Sequence, residues 1–340
     1  MKLSDIGEFG FIDTIAGPFF EHLKENVIGI GDDCSVTPLS ENESQIVTTD
    51  MLIEDTHFIF DKISAFELGQ KSLAVNLSDI AAMGGTPQNA FISLGIPENI
   101  TVEWLKDFYE GLSFLARQSK TPILGGDTTK SKHGLIINIA VIGKVENKHI
   151  KLRSGAKPEN VICVTSELGD SACGLNFILK KLDIRTPNER ALYRAHNLPR
   201  PHLEEGAFLG NQEGVTSMID VSDGIDSDLR RIMEQSQVGA KIELENIPMS
   251  NTMTDICDEY KWDALRFAVT GGEDYCLLCT IKKDALEDIR STFKKNFRRE
   301  LYPIGYINQS NTLVYLKNGK AFNFNTSGYD HFKSEIHENI

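Results

Sequence analysis

With 340 residues, of which 41% are hydrophobic, 25% charged and 8% aromatic, the chain has the composition of a soluble globular protein long enough for one large domain or two average ones. Thirty-five basic against 49 acidic residues give a formal charge of −14, which argues against general binding to nucleic acid or an anionic membrane but leaves room for a nucleotide escorted by metal ions. Neither the opening Met1-Lys2-Leu3-Ser4-Asp5-Ile6-Gly7-Glu8 nor any later run has the apolar length of a signal peptide or membrane span, so the cytoplasm is the expected location.

Val27-Ile28-Gly29-Ile30 reads as a strand running into Gly31-Asp32-Asp33. Gly29-x-Gly31 opens like a dinucleotide fingerprint, but Cys34 stands in place of the third glycine and no helix follows, so a Rossmann reading fails. The paired aspartates are either a turn or metal ligands. Gln45-Ile46-Val47-Thr48-Thr49-Asp50 repeats the arrangement, an apolar strand delivering hydroxyls and a carboxylate at its end, and hard oxygen ligands of this kind suit magnesium. In the loop Glu54-Asp55-Thr56-His57-Phe58, His57 taken alone is first a packed or solvent-bonded histidine and only then a substrate contact.

Ser64 and Glu67 form a Ser-x-x-Glu capping box, and Leu73, Leu77 and Ile80 recur at helical spacing behind it. Gly84 and Gly85 end this helix. Asp79 lies near its packed face, where an isolated charge is costly unless something positive meets it. A strand over 90–94 follows, then a helix from Thr101 whose Leu105, Phe108, Leu112 and Leu115 form a core stripe. Tyr109, beside the stripe, is open to core packing or to stacking on a base. Pro122-Ile123-Leu124 is a short strand ending in Gly125-Gly126-Asp127-Thr128-Thr129, where paired glycines let backbone approach a ligand. With a further strand over 135–142, this alternation indicates an α/β domain.

A polar connection at Glu146-Asn147-Lys148 sets the expected boundary, dividing the chain into 1–147 and 148–340. The basic loop Arg153-Ser154-Gly155-Ala156-Lys157-Pro158 is either an exposed salt bridge or a phosphate contact. A strand over 161–164 and a helix over 171–181 resume the alternation, and 183–201 reads as an irregular helical insert in which His196, like His202 just after it, is incidental. In Met218-Ile219-Asp220-Val221-Ser222-Asp223-Gly224, the side chains of Asp220, Ser222 and Asp223 can converge on one ion as the strand turns. Asp226 and Asp228 suit the first turn of the next helix. A second glycine pair, Gly271-Gly272-Glu273-Asp274-Tyr275, precedes a buried strand carrying Cys276 and Cys279. Positions three apart on a strand face opposite ways, which argues against a metal site, and all six cysteines are expected as reduced thiols. Short strands over 302–307 and 313–316 lead to Ser327-Gly328-Tyr329-Asp330-His331-Phe332, an ending aromatic enough to fold back on something.

Asp33, Asp50, Asp79, Asp127, Asp220 and Asp223 sit at expected element ends, mostly beside glycines or hydroxyls. Gathered in one cleft, each pair at ~4 Å would repel by ~4 kcal/mol at an effective dielectric near 20, so the pattern implies divalent cations or shifted pKa values. No Walker loop and no protein-kinase motif set accompanies them.

These motifs, taken in order along nearly the whole chain, resemble the thiamine-monophosphate kinase family within the aminoimidazole ribonucleotide synthetase-like superfamily. The resemblance implies a two-domain α/β fold, each domain a mixed sheet packed with helices, with an N-terminal ATP- and magnesium-binding domain that also dimerises and a C-terminal domain that completes the cleft. It implies ATP-dependent phosphorylation of thiamine monophosphate to thiamine diphosphate by a homodimer. By the same resemblance Asp33, Thr49, Asp50, Asp79, Asp127, Asp220 and Asp223 would hold several magnesium ions, joined by Thr48 in place of the serine common in the family. Gly126, Asp127, Arg153, Ser222 and Tyr109 would contact ATP, and His57, Glu273 and Tyr329 would contact thiamine monophosphate. The acceptor phosphate is already ionised at neutral pH, so no general base is expected.

Overall fold

Helix α2 (Ala65–Ala82) belongs to both halves of the molecule. Its capping box is formed: Ser64 Oγ accepts from the Glu67 N–H at 3.2 Å, and Glu67 Oε2 accepts from the Ser64 N–H at 3.1 Å. Gly84, at φ +70°, turns the chain out of the last turn. The expected stripe of Leu73, Leu77 and Ile80 is buried, but so are Lys71, Ser72, Asn76 and Ser78 on other faces. The cause is enclosure from two sides. Helix α3 (Val102–Gln118) and the first sheet cover one flank, while Ala81 and Ala82 enter an apolar cluster with Cys163, Val215, Met218 and Leu277 of the C-terminal half.

The structure is a computed structural model describing residues 2–21 and 23–324. After α1 (Leu3–Phe20), the first sheet comprises β1 (Ser35–Pro38), β2 (Glu43–Ile53), β3 (Thr86–Ile96), β4 (Ile123–Lys130) and β5 (Ile136–Glu146), in the order β1-β2-β5-β3-β4. Only the β3–β4 pairing is parallel, so the sheet is mixed. Along β2, Ser44, Ile46, Thr48 and Leu52 are buried on the face towards the helices, while Thr49 and Met51 point the other way and are exposed.

Strands β3 and β5 run several residues beyond their expected bounds, and three other segments differ in ways that bear on the site. The 27–30 segment makes only isolated bridges, Ile28 to Val36 and Ile30 to Asp32, because Gly31 at φ +128° turns the chain back and the ladder starts at Ser35. Strand β2 continues to Ile53, so Asp50 sits inside the strand rather than at its end. Strand β4 absorbs the whole Gly-Gly-Asp-Thr-Thr stretch, since β3 offers it a continuous partner. A Cβ on Gly126 would lie 1.6 Å from the Ile92 carbonyl oxygen, so this glycine serves the close approach of two strands.

Helices α2 and α3 interlock through two glycines. A Cβ on Gly69 would lie 2.0 Å from the Phe108 carbonyl oxygen, and one on Gly111 would lie 1.9 Å from that of Phe66. Gly111→Ala is therefore expected to force the helices apart and cost about 2–3 kcal/mol, seen as a lower urea midpoint; an unchanged midpoint would refute this packing.

The second sheet contains β6 (Val161–Val164), β7 (Val215–Asp220), β8 (Gly239–Glu243), β9 (Leu277–Ile281), β10 (Tyr302–Asn308), β11 (Leu313–Lys317) and β12 (Lys320–Phe322), in the order β12-β11-β8-β10-β6-β9-β7. It too is mixed, with β8 and β11 parallel. Helices α4 (Asp170–Leu179), α5 (Pro187–Asn197), α6 (Leu203–Gly210), α7 (Ile225–Ser236), α8 (Asn251–Tyr260), α9 (Ala264–Thr270) and α10 (Leu286–Phe297) accompany it. The expected irregular insert is thus largely a regular helix, α5, with its own Thr186–Glu189 capping box. Cys276, which the expected strand included but which precedes β9, and Cys279, inside it, join different apolar clusters, and all six cysteines are buried free thiols. No helix among the described residues is long and apolar enough to cross a membrane.

Candidate active site

Asp33 from the loop before β1, Asp79 from α2 and Asp220 from the end of β7 each bring a carboxylate oxygen within 4.8 Å of the other two. Each acid is fixed by a neighbour. Ser78 Oγ donates to Asp220 Oδ2 at 2.6 Å, Thr48 Oγ1 donates to Asp79 Oδ2, and Arg153 Nη2 donates to Asp33 Oδ1 at 2.6 Å. The Asp50 N–H donates to Asn76 Oδ1 at 3.0 Å, tying β2 to α2 beside the cluster. The neighbouring Asp32 accepts the Arg153 N–H, which anchors the basic loop. The helix, the strand parity and the turn after β7 together produce this convergence.

At such separations each ionised pair repels by about 3 kcal/mol at an effective dielectric near 20. Burial raises Asp220 to about 8, with Asp33 adding and Ser78 and Arg153 opposing. Burial and then Asp50 and Asp220 lift Asp79 well above the carboxylate range. Asp50 reaches about 6 through burial, Asp33 and Asp223, and Asp32 about 7 through burial and Asp33. Burial raises Asp33 as well, against the pull of Arg153. Asp33 Oδ2 is buried without a hydrogen-bond partner. An oxygen-only set with strained ionisation and an orphaned oxygen fits a hard divalent cation.

The cluster borders a cleft whose walls include Asp50, Asp79, Asp220, Ser222, His57 and Glu273. His57 Nδ1 accepts the Ile53 N–H at 3.0 Å, so in the neutral ring the proton sits on Nε2. The turns at 220–224 and 271–275 lie against one another: the Glu273 N–H donates to the Ser222 carbonyl at 2.7 Å and the Tyr275 N–H to that of Val221 at 2.9 Å. A Cβ on Gly272 would lie 2.3 Å from the Ser222 oxygen, which explains the glycine. Glu273 is met by Lys71 Nζ at 2.9 Å and His196 Nδ1 at 3.0 Å. Burial pushes Glu273 up, but Lys71 and His196 outweigh it and hold the carboxyl well below its usual range.

Not every expected residue joins the cluster. Thr49 lies on the opposite face of β2, its Oγ1 accepting from Asn138. Asp127 occupies the register row Met51–Asn138–Ser93–Asp127 on that same exposed face, three strands from β2, or about 14 Å at ordinary strand spacing. Gly126 shares its strand. Tyr109 is exposed on α3, edge-on to Phe108. Asp223 stands in the turn, its N–H donating to Asp228 Oδ2 at 3.2 Å, outside the three-oxygen set. Asp228 is therefore more than a helix-start charge: it is fully buried beneath that turn. Tyr329 and the aromatic ending lie outside the described residues.

Lys71 and His196 escaped the reading of the sequence, and His196 is not incidental. A lysine among the apolar positions of α2 was the available signal for the first. For the second there was none, because its partners are distant in the chain. His202 is buried against Thr165, a structural contact.

The AIR synthase related protein family matches this chain twice, its N-terminal domain over residues 31–145 and its C-terminal domain over 157–316. A thiamine-monophosphate kinase of Buchnera aphidicola (subsp. Schizaphis graminum) is 35% identical over 332 residues, 96% of this chain and 99% of the relative. One of Bacillus subtilis is 32% identical over 96% of this chain and 99% of its own length. Among solved structures, AaThiL complexed with AMPPCP and TMP superposes with a TM-score of 0.85 at 29% identity, covering 97% of this chain and 99% of its own.

Proposed function

The chain belongs to the thiamine-monophosphate kinase family, and we propose that it carries out the reaction of that name, ATP plus thiamine monophosphate giving ADP plus thiamine diphosphate, by direct in-line transfer. The observation carrying the mechanism is the Asp33–Asp79–Asp220 set, Asp33 and Asp220 buried and Asp79 half-buried, with Asp33 Oδ2 unpartnered, beside a cleft that also holds His57 and Glu273. The solved relative with AMPPCP, an ATP analogue, and TMP supports the pairing of substrates.

Asp33, Asp79 and Asp220, with Asp50, Thr48 and Asp223 around them, hold magnesium. Bound there, the metal supplies charge neutralisation for donor and acceptor phosphates. Arg153 contributes a fixed cation to the donor phosphates and Ser222 a hydroxyl. The acceptor oxygen is ionised at neutral pH, so alignment and charge stabilisation suffice without a general base. His57 and Glu273, with Tyr329 by motif, hold the thiamine portion.

The reading includes a homodimer through the open face of the first sheet, where Met51, Phe91 and Leu124 are exposed. Thr49 and Asp127 lie on that face, so their roles as ligands depend on this association. The reaction belongs in the cytoplasm, where ATP and magnesium are available.

The test is a coupled measurement with purified protein, magnesium and ATP, following ADP and thiamine diphosphate, with unphosphorylated thiamine as control. Equimolar products from the monophosphate support the proposal. ATP binding with neither product would overturn it.

A further inference from the structure

Lys71, Glu273 and His196 come from α2, the 271–275 turn and α5, so their contact ties three segments together at the wall of the cleft. Lys71 is fully buried, and its Nζ also approaches His196 Nε2 at 3.4 Å. Both partners engage the same oxygen, Glu273 Oε2, which leaves Oε1 for the cleft that Glu273 lines. The Glu273 side chain retains 25% exposure although Lys71 has none.

The turn itself is strained. Glu273 at φ +62° and Tyr275 at φ +48° are non-glycine residues in the left-handed region, which persists only where the surroundings over-determine it. Here the surroundings are the two backbone bonds to Ser222 and Val221, and Asp274 Oδ2 accepting the Gly169 N–H at 2.7 Å. A buried lysine is a poor choice for packing, since desolvating an ammonium costs more than burying an apolar side chain of the same volume. Its use is to fix a carboxylate.

We propose that Lys71 and His196 are positioning residues for the acceptor substrate, holding Glu273 so that its second oxygen presents a fixed, ionised hydrogen-bond acceptor to the cleft. This rests on the kinase reading above. The ligand chemistry that suits such an oxygen is a cationic ring or an N–H donor, and thiamine carries both, a thiazolium and an exocyclic amine. ATP has an exocyclic amine on adenine but no cationic ring, so Lys71 should act more strongly on the thiamine substrate than on ATP.

Full-length K71M, E273Q, their double variant and H196Q, compared with the wild type by steady-state kinetics and by calorimetric titration with thiamine monophosphate, test this. K71M is expected to raise KM for thiamine monophosphate about tenfold or more, the scale of a weakened charged hydrogen bond, with KM for ATP changing less than about twofold. The double variant should be no worse than E273Q, because the lysine works through the glutamate. H196Q should move the same KM in the same direction by about threefold. Should K71M fail to fold, H196Q and the double variant, which leaves no charge unpaired, carry the measurement. Equal shifts in both KM values, or a folded K71M or H196Q with wild-type KM for thiamine monophosphate, would overturn the proposal while the kinase reading stood. Wild-type protein that binds thiamine monophosphate without releasing ADP would instead end the kinase reading, and the titrations would still judge the role of Lys71.

Discussion

Asp79→Asn is expected to lower turnover by about a thousandfold or more and, in magnesium-free buffer, to raise stability by roughly 1–3 kcal/mol. Both effects come from one charge. Asp79 is the member of the cluster on α2, with Asp33 and Asp220 reaching it from either side and Asp50 adding to its electrostatic burden. Asparagine keeps the shape and can still accept the hydrogen bond from Thr48, so the fold has no reason to suffer. Without the cation the carboxylate is a liability, and removing it relieves repulsion. In the proposed reaction the same carboxylate would help hold the cation that neutralises the phosphates. Initial rates of ADP release and melting curves in EDTA check the pair of outcomes. Near-wild-type turnover at saturating magnesium would remove Asp79 from the site.

Stability of the magnesium-free protein should fall as pH rises from 7 to 8, and magnesium should abolish most of that fall. A group whose folded pKa is raised binds more protons folded than unfolded, so the stability it contributes is complete below its unfolded pKa and lost as pH climbs through the folded one. Asp220 at about 8 sets the window, and Asp79, also raised, contributes with the same sign; Asp32, at about 7, is not among the proposed ligands, so its share should persist with magnesium. Other groups can be separated. Asp274, also raised to about 8 by burial, contributes the same sign but is not among the proposed ligands, so its share should persist with magnesium. Burial depresses His196 and His202, which adds stability as pH rises through the ordinary histidine range, below most of this window. Glu273 is depressed, and its contribution is lost only as pH falls below the ordinary carboxylate range. Magnesium affinity should rise by up to about tenfold per pH unit for each proton displaced, which calorimetry across pH 6–8 reads directly. A magnesium affinity independent of pH would mean that the carboxylates are already ionised without it.

Much of this was readable without coordinates because the signals are local. The Ser64–Glu67 box begins α2 where the spacing required, Thr101 caps α3, and the acidic motifs lie beside the glycines that shape their turns. Strand ends were harder, since they depend on how far the partner runs: β4 swallows the Gly125–Thr129 stretch only because β3 continues alongside it. That single extension changes the reading of Gly126 from a ligand approach to a strand contact.

The sequence by itself determined the two mixed α/β units, the family, the oxygen-rich chemistry and most of the residues that meet at the cleft, because caps, periodicity and motif order act within a few residues or within one aligned chain. Only the tertiary structure decided which acids share an ion, which face of β2 and β4 carries Thr49 and Asp127, and that Lys71 and His196 grip Glu273. Those outcomes depend on sheet register and on the way the C-terminal half encloses α2, and contacts between residues over a hundred positions apart leave no periodic trace in the chain.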